Sequence, residues 1–190
     1  MDGSRPGVPR IFLLDGASGA GKTSLGLQVA SERSDALFIP RYTTRPKRAD
    51  SDEEEYVFVD QREFDRLVAI GAFIEYRHYE FGMSYGLPSD TVQRALASGK
   101  NALAILNLGH SVQAKSSLPA AVTILIDVPI DVIHKRLLSR GTHRPDQVAE
   151  RLKNAAAVEE FRASYDYTVE NSASLESAVK AINMIIDRHC

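Results

Sequence analysis

The sequence predicts an α/β fold in three layers: a parallel β-sheet covered by helices on both faces, with a second lobe inserted into it. Three observations predict it. Short apolar runs alternate with helix-patterned segments at both ends of the chain, the arrangement of parallel strands joined by crossover helices. The first apolar run leads into a glycine-rich stretch and then a helix. Between about Thr43 and Gly86 the alternation breaks, as expected of an insertion.

Each element has its own signal. Ile11-Phe12-Leu13-Leu14 is apolar without alternation, the mark of a strand buried on both faces. Lys22 to Glu32 reads as a helix, with Leu25 and Val29 four apart. Ala36 to Ile39 is a second strand, ended by Pro40. Arg41 to Glu55 is charged, interrupted by Pro46, and reads as loop. Tyr56 to Val59 reads as strand, and Gln61 to Ile70 as an amphipathic helix buried through Phe64, Leu67 and Val68. Phe73 to Tyr79 is strand again. Ser89 to Ser98 is a helix with Ser89 as N-cap and Gly99 at its stop. Ala102 to Leu108 and Val122 to Val128 are apolar strands. Asp131 to Ser139 is a helix stopped at Gly141, and Gln147 to Ala163 a longer one. Tyr167 to Val169 is a short strand and Leu175 to Ile186 the closing helix.

At 190 residues the chain predicts one domain with appended lobes. The expected division is a core of residues 10–40 and 100–190, an acceptor-binding lobe at about 41–99 and a lid at about 140–150. Lys plus Arg number 23 against 25 Asp plus Glu, which argues against a protein that coats nucleic acid polymers. The single cysteine, Cys190, cannot form an intrachain disulfide or a cysteine-cluster zinc site, which favours a reducing, cytoplasmic setting. No apolar run reaches the roughly 18–20 residues that span a bilayer, and the polar, Pro/Gly-rich Met1 to Arg10 carries no signal-peptide pattern. Membrane partners are not expected. The oligomeric expectation is a monomer or homodimer.

Gly16-Ala17-Ser18-Gly19-Ala20-Gly21-Lys22-Thr23 matches the eight-residue P-loop pattern in full, between a strand and a helix as the pattern requires. Its glycines let backbone N–H groups converge on phosphate oxygens, and the helix N-terminus adds partial positive charge. The candidate triphosphate-binding residues are Gly16, Ser18, Gly19, Ala20, Gly21, Lys22, Thr23 and Ser24. Lys22 is placed to reach the β- and γ-phosphates, and the Thr23 hydroxyl to coordinate Mg²⁺. The expected donor is ATP; the loop does not name the acceptor.

Arg41-Tyr42-Thr43-Thr44-Arg45-Pro46-Lys47-Arg48 packs four cations into eight residues. Such a cluster is commonly a solvated loop. Here it opens the inserted lobe, where a phosphotransferase must hold an anionic acceptor, and arginine forks bind phosphate bidentately. The acidic run Asp50 to Glu55 beside it reads as solvated loop and receives no role.

With these motifs the sequence resembles the guanylate kinases, from Phe12 to about Ile186. The resemblance rests on Gly-Ala-Ser-Gly-Ala-Gly-Lys-Thr at 16–23, Thr-Thr-Arg-Pro-Lys-Arg at 43–48, Glu-Tyr-Val-Phe-Val at 55–59 and Phe-Ile-Glu-Tyr at 73–76. It continues in Tyr-Gly at 85–86, Arg-Leu-Leu-Ser-Arg-Gly-Thr at 136–142 and Tyr-Asp-Tyr-Thr-Val-Glu-Asn at 165–171. It implies a P-loop NTPase core that phosphorylates GMP with ATP. By it Arg45, Arg48, Tyr56 and Tyr85 would hold the acceptor phosphate, with Arg41, Thr44 and Asn107 also on the acceptor side. Glu75 would accept hydrogen bonds from guanine N1–H and the 2-amino group. Arg136, Arg140 and Arg151 match lid arginines that close over the triphosphate and act with Lys22 in catalysis. Asn171 matches an adenine-proximal residue, and a strand-to-turn asparagine is an equal reading of it.

Three positions depart from that pattern. Arg41 stands where a serine is usual, Leu87 replaces a Ser or Thr that helps read guanine O6, and Asn107 replaces an Asp. All three look more like ribose 1,5-bisphosphate phosphokinase. Yet that relative's Asn-Gly-Ser-Arg reads Asn107-Leu108-Gly109-His110 here, and its Trp-His is replaced by Glu75-Tyr76. A sugar-phosphate kinase is therefore the second expectation, and a non-catalytic guanylate-kinase-like binding module the third. His78, His110, His134, His143 and His189 show no metal-ligand spacing and read as surface or packing residues. Asp15 and Asp127 stay outside the expected site.

Overall fold

The computed structural model describes residues 8–47, 52–79, 82–139 and 145–190. In chain order the strands are β1 (Ile11–Asp15), β2 (Ala36–Ile39), β3 (Arg41–Thr43), β4 (Tyr56–Phe58), β5 (Phe73–His78), β6 (Ser84–Pro88), β7 (Asn101–Ile105), β8 (Val122–Asp127) and β9 (Tyr167–Glu170). The helices are α1 (Lys22–Glu32), α2 (Asp52–Glu55), α3 (Gln61–Ala69), α4 (Ser89–Ala97), α5 (His110–Ala114), α6 (Ile130–Ser139), α7 (Pro145–Ala156), α8 (Val158–Arg162) and α9 (Leu175–His189).

Five strands form a parallel sheet in the order β2-β7-β1-β8-β9. Central β1 is buried along its whole length. Its side chains alternate between two apolar clusters: Phe12 and Leu14 feed one, Ile11 and Leu13 the other. The first cluster is closed by α1 and α9 through Leu25, Val29, Val179, Ile182 and Ile186. The second is closed by α4 through Val92 and Ala95. Each fully buried Leu, Ile or Phe contributes about 1.5–3 kcal/mol of hydrophobic stabilisation. This double covering is what the unbroken apolar run of β1 predicts.

Parallel strands share one carboxyl edge, and four of the segments where chemistry is expected leave from it. Gly16 follows β1, Arg41 follows β2 and Pro40, Asn107 follows β7, and Asn171 follows β9.

The inserted lobe is a second sheet in the order β4-β3-β6-β5. Strands β3 and β4 are parallel, while β6 runs antiparallel to both β3 and β5. Phe64 of α3 is fully buried and stacks on Phe73 with ring centroids 4.9 Å apart. Gly86 makes that packing possible, because a Cβ there would lie 2.7 Å from the Phe73 ring. A bulge between Phe73 and Glu75 re-aims β5 at this point.

Several sequence expectations are corrected. The stretch Arg41 to Glu55, read as loop, contains β3 and α2. The helix from Gln147 to Ala163 is two helices, parted at Ala157. β6 and α5 gave no sequence reading. Ser89 is the first helical residue of α4 rather than its cap; its N–H donates to Ala72 O at 2.9 Å, so the strand-helix junction satisfies it without a side-chain cap. No helix of the described residues is long and apolar enough to cross a membrane.

Candidate active site

The P-loop turns sharply between β1 and α1. Gly16, Gly19 and Gly21 have φ of 147°, 91° and 86°, which other residues rarely adopt. A Cβ on Gly16 would also lie 2.6 Å from Ile126 O, and one on Gly21 would lie 2.6 Å from Asn171 Nδ2. Lys22 folds back over the loop and donates to Gly16 O at 2.8 Å and Ala17 O at 2.9 Å. Desolvation lowers its pKa to about 8, against the opposing pull of the Asp15 and Glu55 carboxylates.

Asp15 anchors the loop from beneath. It is fully buried and accepts from Gly16 N at 2.6 Å, Ser111 N at 3.0 Å and Ser111 Oγ at 2.6 Å. Burial raises its pKa, and the Ser111 hydrogen bonds oppose that rise. Asp15 therefore ties the loop to the start of α5. Asp127 pairs instead with Arg162, at 2.8 Å.

One of the expected lid arginines bonds this loop and a second bonds the residue that braces it. Arg151 on α7 hydrogen-bonds Ser18 Oγ, and Arg136 on α6 donates to Asn171 O at 2.8 Å. Asn171 is buried, and its amide donates to Ala20 O at 2.8 Å. It thus braces the P-loop against the end of β9. Arg140 lies outside the described residues.

On the inserted lobe Arg45 is 6% exposed, with its guanidinium 5.1 Å from the Tyr56 ring centroid and 5.7 Å from that of Phe58. Its backbone N–H donates to Thr43 Oγ1 at 3.1 Å, fixing the turn after β3. Tyr56 and Tyr85 pack edge to face with centroids 5.8 Å apart. Burial, then the adjacent Glu55 charge, raises the Tyr56 pKa, so the phenol stays a neutral donor. Thr44 Oγ1 accepts from Ser84 N at 2.9 Å, a bond that locks β3 to β6. Arg48 lies outside the described residues.

One cleft of about 760 Å³ joins these parts. Gly16, Ser18, Gly19, Gly21, Lys22, Thr23, Ser24 and Arg151 line it on the P-loop side, and Arg41, Arg45, Tyr56, Tyr85 and Asn107 on the other. Ala20, Thr44, Glu75, Arg136 and Asn171 are not part of its lining. Leu87 is fully buried in the apolar cluster beneath α4. The sequence reading missed Glu55, Arg77, Tyr79 and His110, which line the cleft too. The period of two along β5 carries a signal for Arg77, since it shares a strand face with Glu75. Glu55 was hidden in an acidic run, and His110 and Tyr79 had no spacing signal.

Comparison with known proteins fits this geometry. The guanylate kinase family model matches residues 8–189. A guanylate kinase of Thermus thermophilus is 36% identical over 172 residues, covering 90% of this chain and 77% of the relative. One from Anaeromyxobacter dehalogenans is 37% identical over 188 residues, covering 97% and 81%. The crystal structure of guanylate kinase from Anaplasma phagocytophilum superposes with a TM-score of 0.74 over 96% of this chain and 87% of that one. At 23% identity that likeness speaks for the fold.

Proposed function

The chain belongs to the guanylate kinase family, and from that premise we propose that it transfers the γ-phosphoryl group of ATP to GMP, giving ADP and GDP. The observation that carries the proposal is the single cleft: it is lined by the P-loop with Lys22 and by the phosphate-grade donors Arg45, Tyr56 and Tyr85. The attacking phosphate oxygen of GMP displaces ADP directly, and no covalent enzyme intermediate is needed. The protein's part is positioning and charge stabilisation.

Lys22 exchanges its two loop carbonyls for β- and γ-phosphate oxygens. Arg45, oriented by Tyr56 and Phe58, aims the acceptor phosphate, with Arg48 completing the pair. Arg136, Arg140 and Arg151 act as lid cations, neutralising charge on the moving group. Thr44 and Asn171 serve as braces, of the acceptor strand pair and of the P-loop.

The donor set fits Mg²⁺ held mainly by phosphate oxygens. Among the described residues no three His, Cys, Asp or Glu side chains gather to cage a metal, and Asp15 is committed to Gly16 and Ser111. Thr23 would then be the protein ligand, as suits an ion that keeps much of its water and phosphate shell. When bound, Mg²⁺ would supply charge neutralisation for the phosphoryl group in transfer.

We assign residues 41–99, which hold the second sheet, to an acceptor lobe, and residues of about 140–150 to a lid. An ATP-using enzyme with one cysteine suits the cytoplasm. The relatives named above support GMP over a sugar phosphate, and the intact P-loop argues against a binding module. The test is a transfer assay of the purified chain with ATP, Mg²⁺ and a panel of nucleoside monophosphates and ribose 1,5-bisphosphate. GMP is expected to give the highest kcat/KM; turnover of the sugar phosphate alone would overturn the proposal.

A further inference from the structure

The acceptor end of the cleft holds a buried charged cluster that phosphate binding leaves unused. Arg41, 4% exposed at the start of β3, donates from Nη2 to Glu75 Oε2 at 3.2 Å. The other carboxylate oxygen, Oε1, lies 3.2 Å from His110 Nδ1 but is not aligned for a hydrogen bond. Arg41 Nε, Glu75 Oε1 and His110 Nδ1 are all buried without a hydrogen-bond partner. Arg41 and His110 line the cleft, whereas Glu75 does not. The Arg41 guanidinium packs 5.5 Å from the Tyr85 ring centroid, and His110 stacks on Tyr79 at 6.1 Å. The cluster is thereby held from both sides.

This arrangement reverses the polarity expected for reading a guanine edge. A carboxylate would accept from N1–H and the 2-amino group, but here it lies behind an arginine. A guanidinium offers donors and no acceptor. Nor does position 87 of β6 offer a hydroxyl, since Leu87 is apolar and buried in the core.

We infer that Arg41, held by Glu75, which His110 flanks on its other oxygen, sets acceptor specificity by donating to the oxygen at position 6 of a purine, and that the 2-amino group of guanine is left unread. The inference rests on the nucleoside monophosphate kinase reading above and adds to it a substrate range. GMP and IMP share the 6-oxo group and differ only in the 2-amino group, so both become substrates. AMP presents an amino donor at position 6, opposite a donor, and is rejected.

The experiment compares kcat/KM for GMP, IMP and AMP. The wild type is expected to use GMP and IMP within about threefold of each other, and AMP at least about tenfold less well, the scale of one lost or mismatched hydrogen bond. Arg41→Ser releases the Glu75 carboxylate to the cleft, so the GMP-to-IMP ratio should rise about tenfold or more, the scale of a hydrogen bond to a charged group. Adding Glu75→Gln to Arg41→Ser removes both charges and should return the ratio towards that of the wild type. A wild type that prefers GMP over IMP by about tenfold or more overturns the inference while leaving the GMP kinase reading intact. An Arg41→Ser variant that folds and keeps the wild-type ratio overturns it too. Should that variant not fold, the wild-type ratio alone decides. If the wild type phosphorylates none of the three yet binds ATP, the kinase reading itself falls.

Discussion

Lys22 is charged and desolvated before any phosphate arrives, with its pKa lowered from 10.5 to about 8. Triphosphate oxygens favour the protonated form and must raise that value again. ATP binding at pH 8 should therefore take up a fraction of a proton, up to about one half, and affinity should fall as pH rises above 8. Calorimetry in buffers of different ionisation enthalpy measures the uptake. In Lys22→Ala it should vanish; an unchanged uptake would assign the proton to another group. Asp15 makes a second prediction at this scale. Asp15→Asn replaces one of two accepting oxygens by a donor, facing either Gly16 N–H or the Ser111 donors. A buried group left unpaired in this way costs about 1–3 kcal/mol. Denaturant unfolding should show that loss, with the m-value unchanged.

Two elements hold the P-loop: α7 through Arg151 and the end of β9 through Asn171. Arg151 on α7 touches Ser18 and lines the cleft. Arg151→Ala should lower kcat more than it raises the KM for GMP, with a loss of up to about 10³-fold by the arithmetic of arginine fingers. A change in acceptor KM alone would remove Arg151 from the lid role. Gly21→Ala combines a φ of 86° with a Cβ placed 2.6 Å from Asn171 Nδ2. Either the loop or the Asn171 amide that braces it must shift, so ATP affinity should fall along with thermal stability; a variant with wild-type ATP affinity would contradict the brace. Elements were legible where periodicity was strong. The five strands of the parallel sheet and the helices that cover it follow from apolar runs and 3.6-residue patterns. β6 was not legible because Ser84-Tyr85-Gly86-Leu87-Pro88 holds a glycine and a proline, both strand-averse residues. Its pairing comes from Thr44 and from the space that Gly86 leaves for Phe73. The break at Ala157 had no Gly or Pro to announce it.

Over the whole molecule, donor and acceptor groups meet because separate segments leave the same edge of one parallel sheet. The motif at 16–23 was legible in the sequence by itself, and the structure places most of it on one side of the cleft. The acceptor half needed the resemblance, since Arg41 and Arg45 alone are two cations in a charged loop. Neither route revealed that Arg41 and His110 enclose Glu75, because that contact joins residues 34 apart in sequence and a histidine beyond β7. In the proposed reaction one cleft performs direct transfer, with Lys22 serving the donor and Arg45 the acceptor. Steady-state kinetics of GDP formation, with ATP saturating and GMP varied, test it most directly in the wild type, Lys22→Ala and Arg45→Ala. Lys22→Ala is expected to lower kcat by about 10²–10³-fold, whereas Arg45→Ala should raise the KM for GMP by about 10–100-fold. A wild type that forms no GDP, or an Arg45→Ala variant with unchanged KM and kcat, would contradict it.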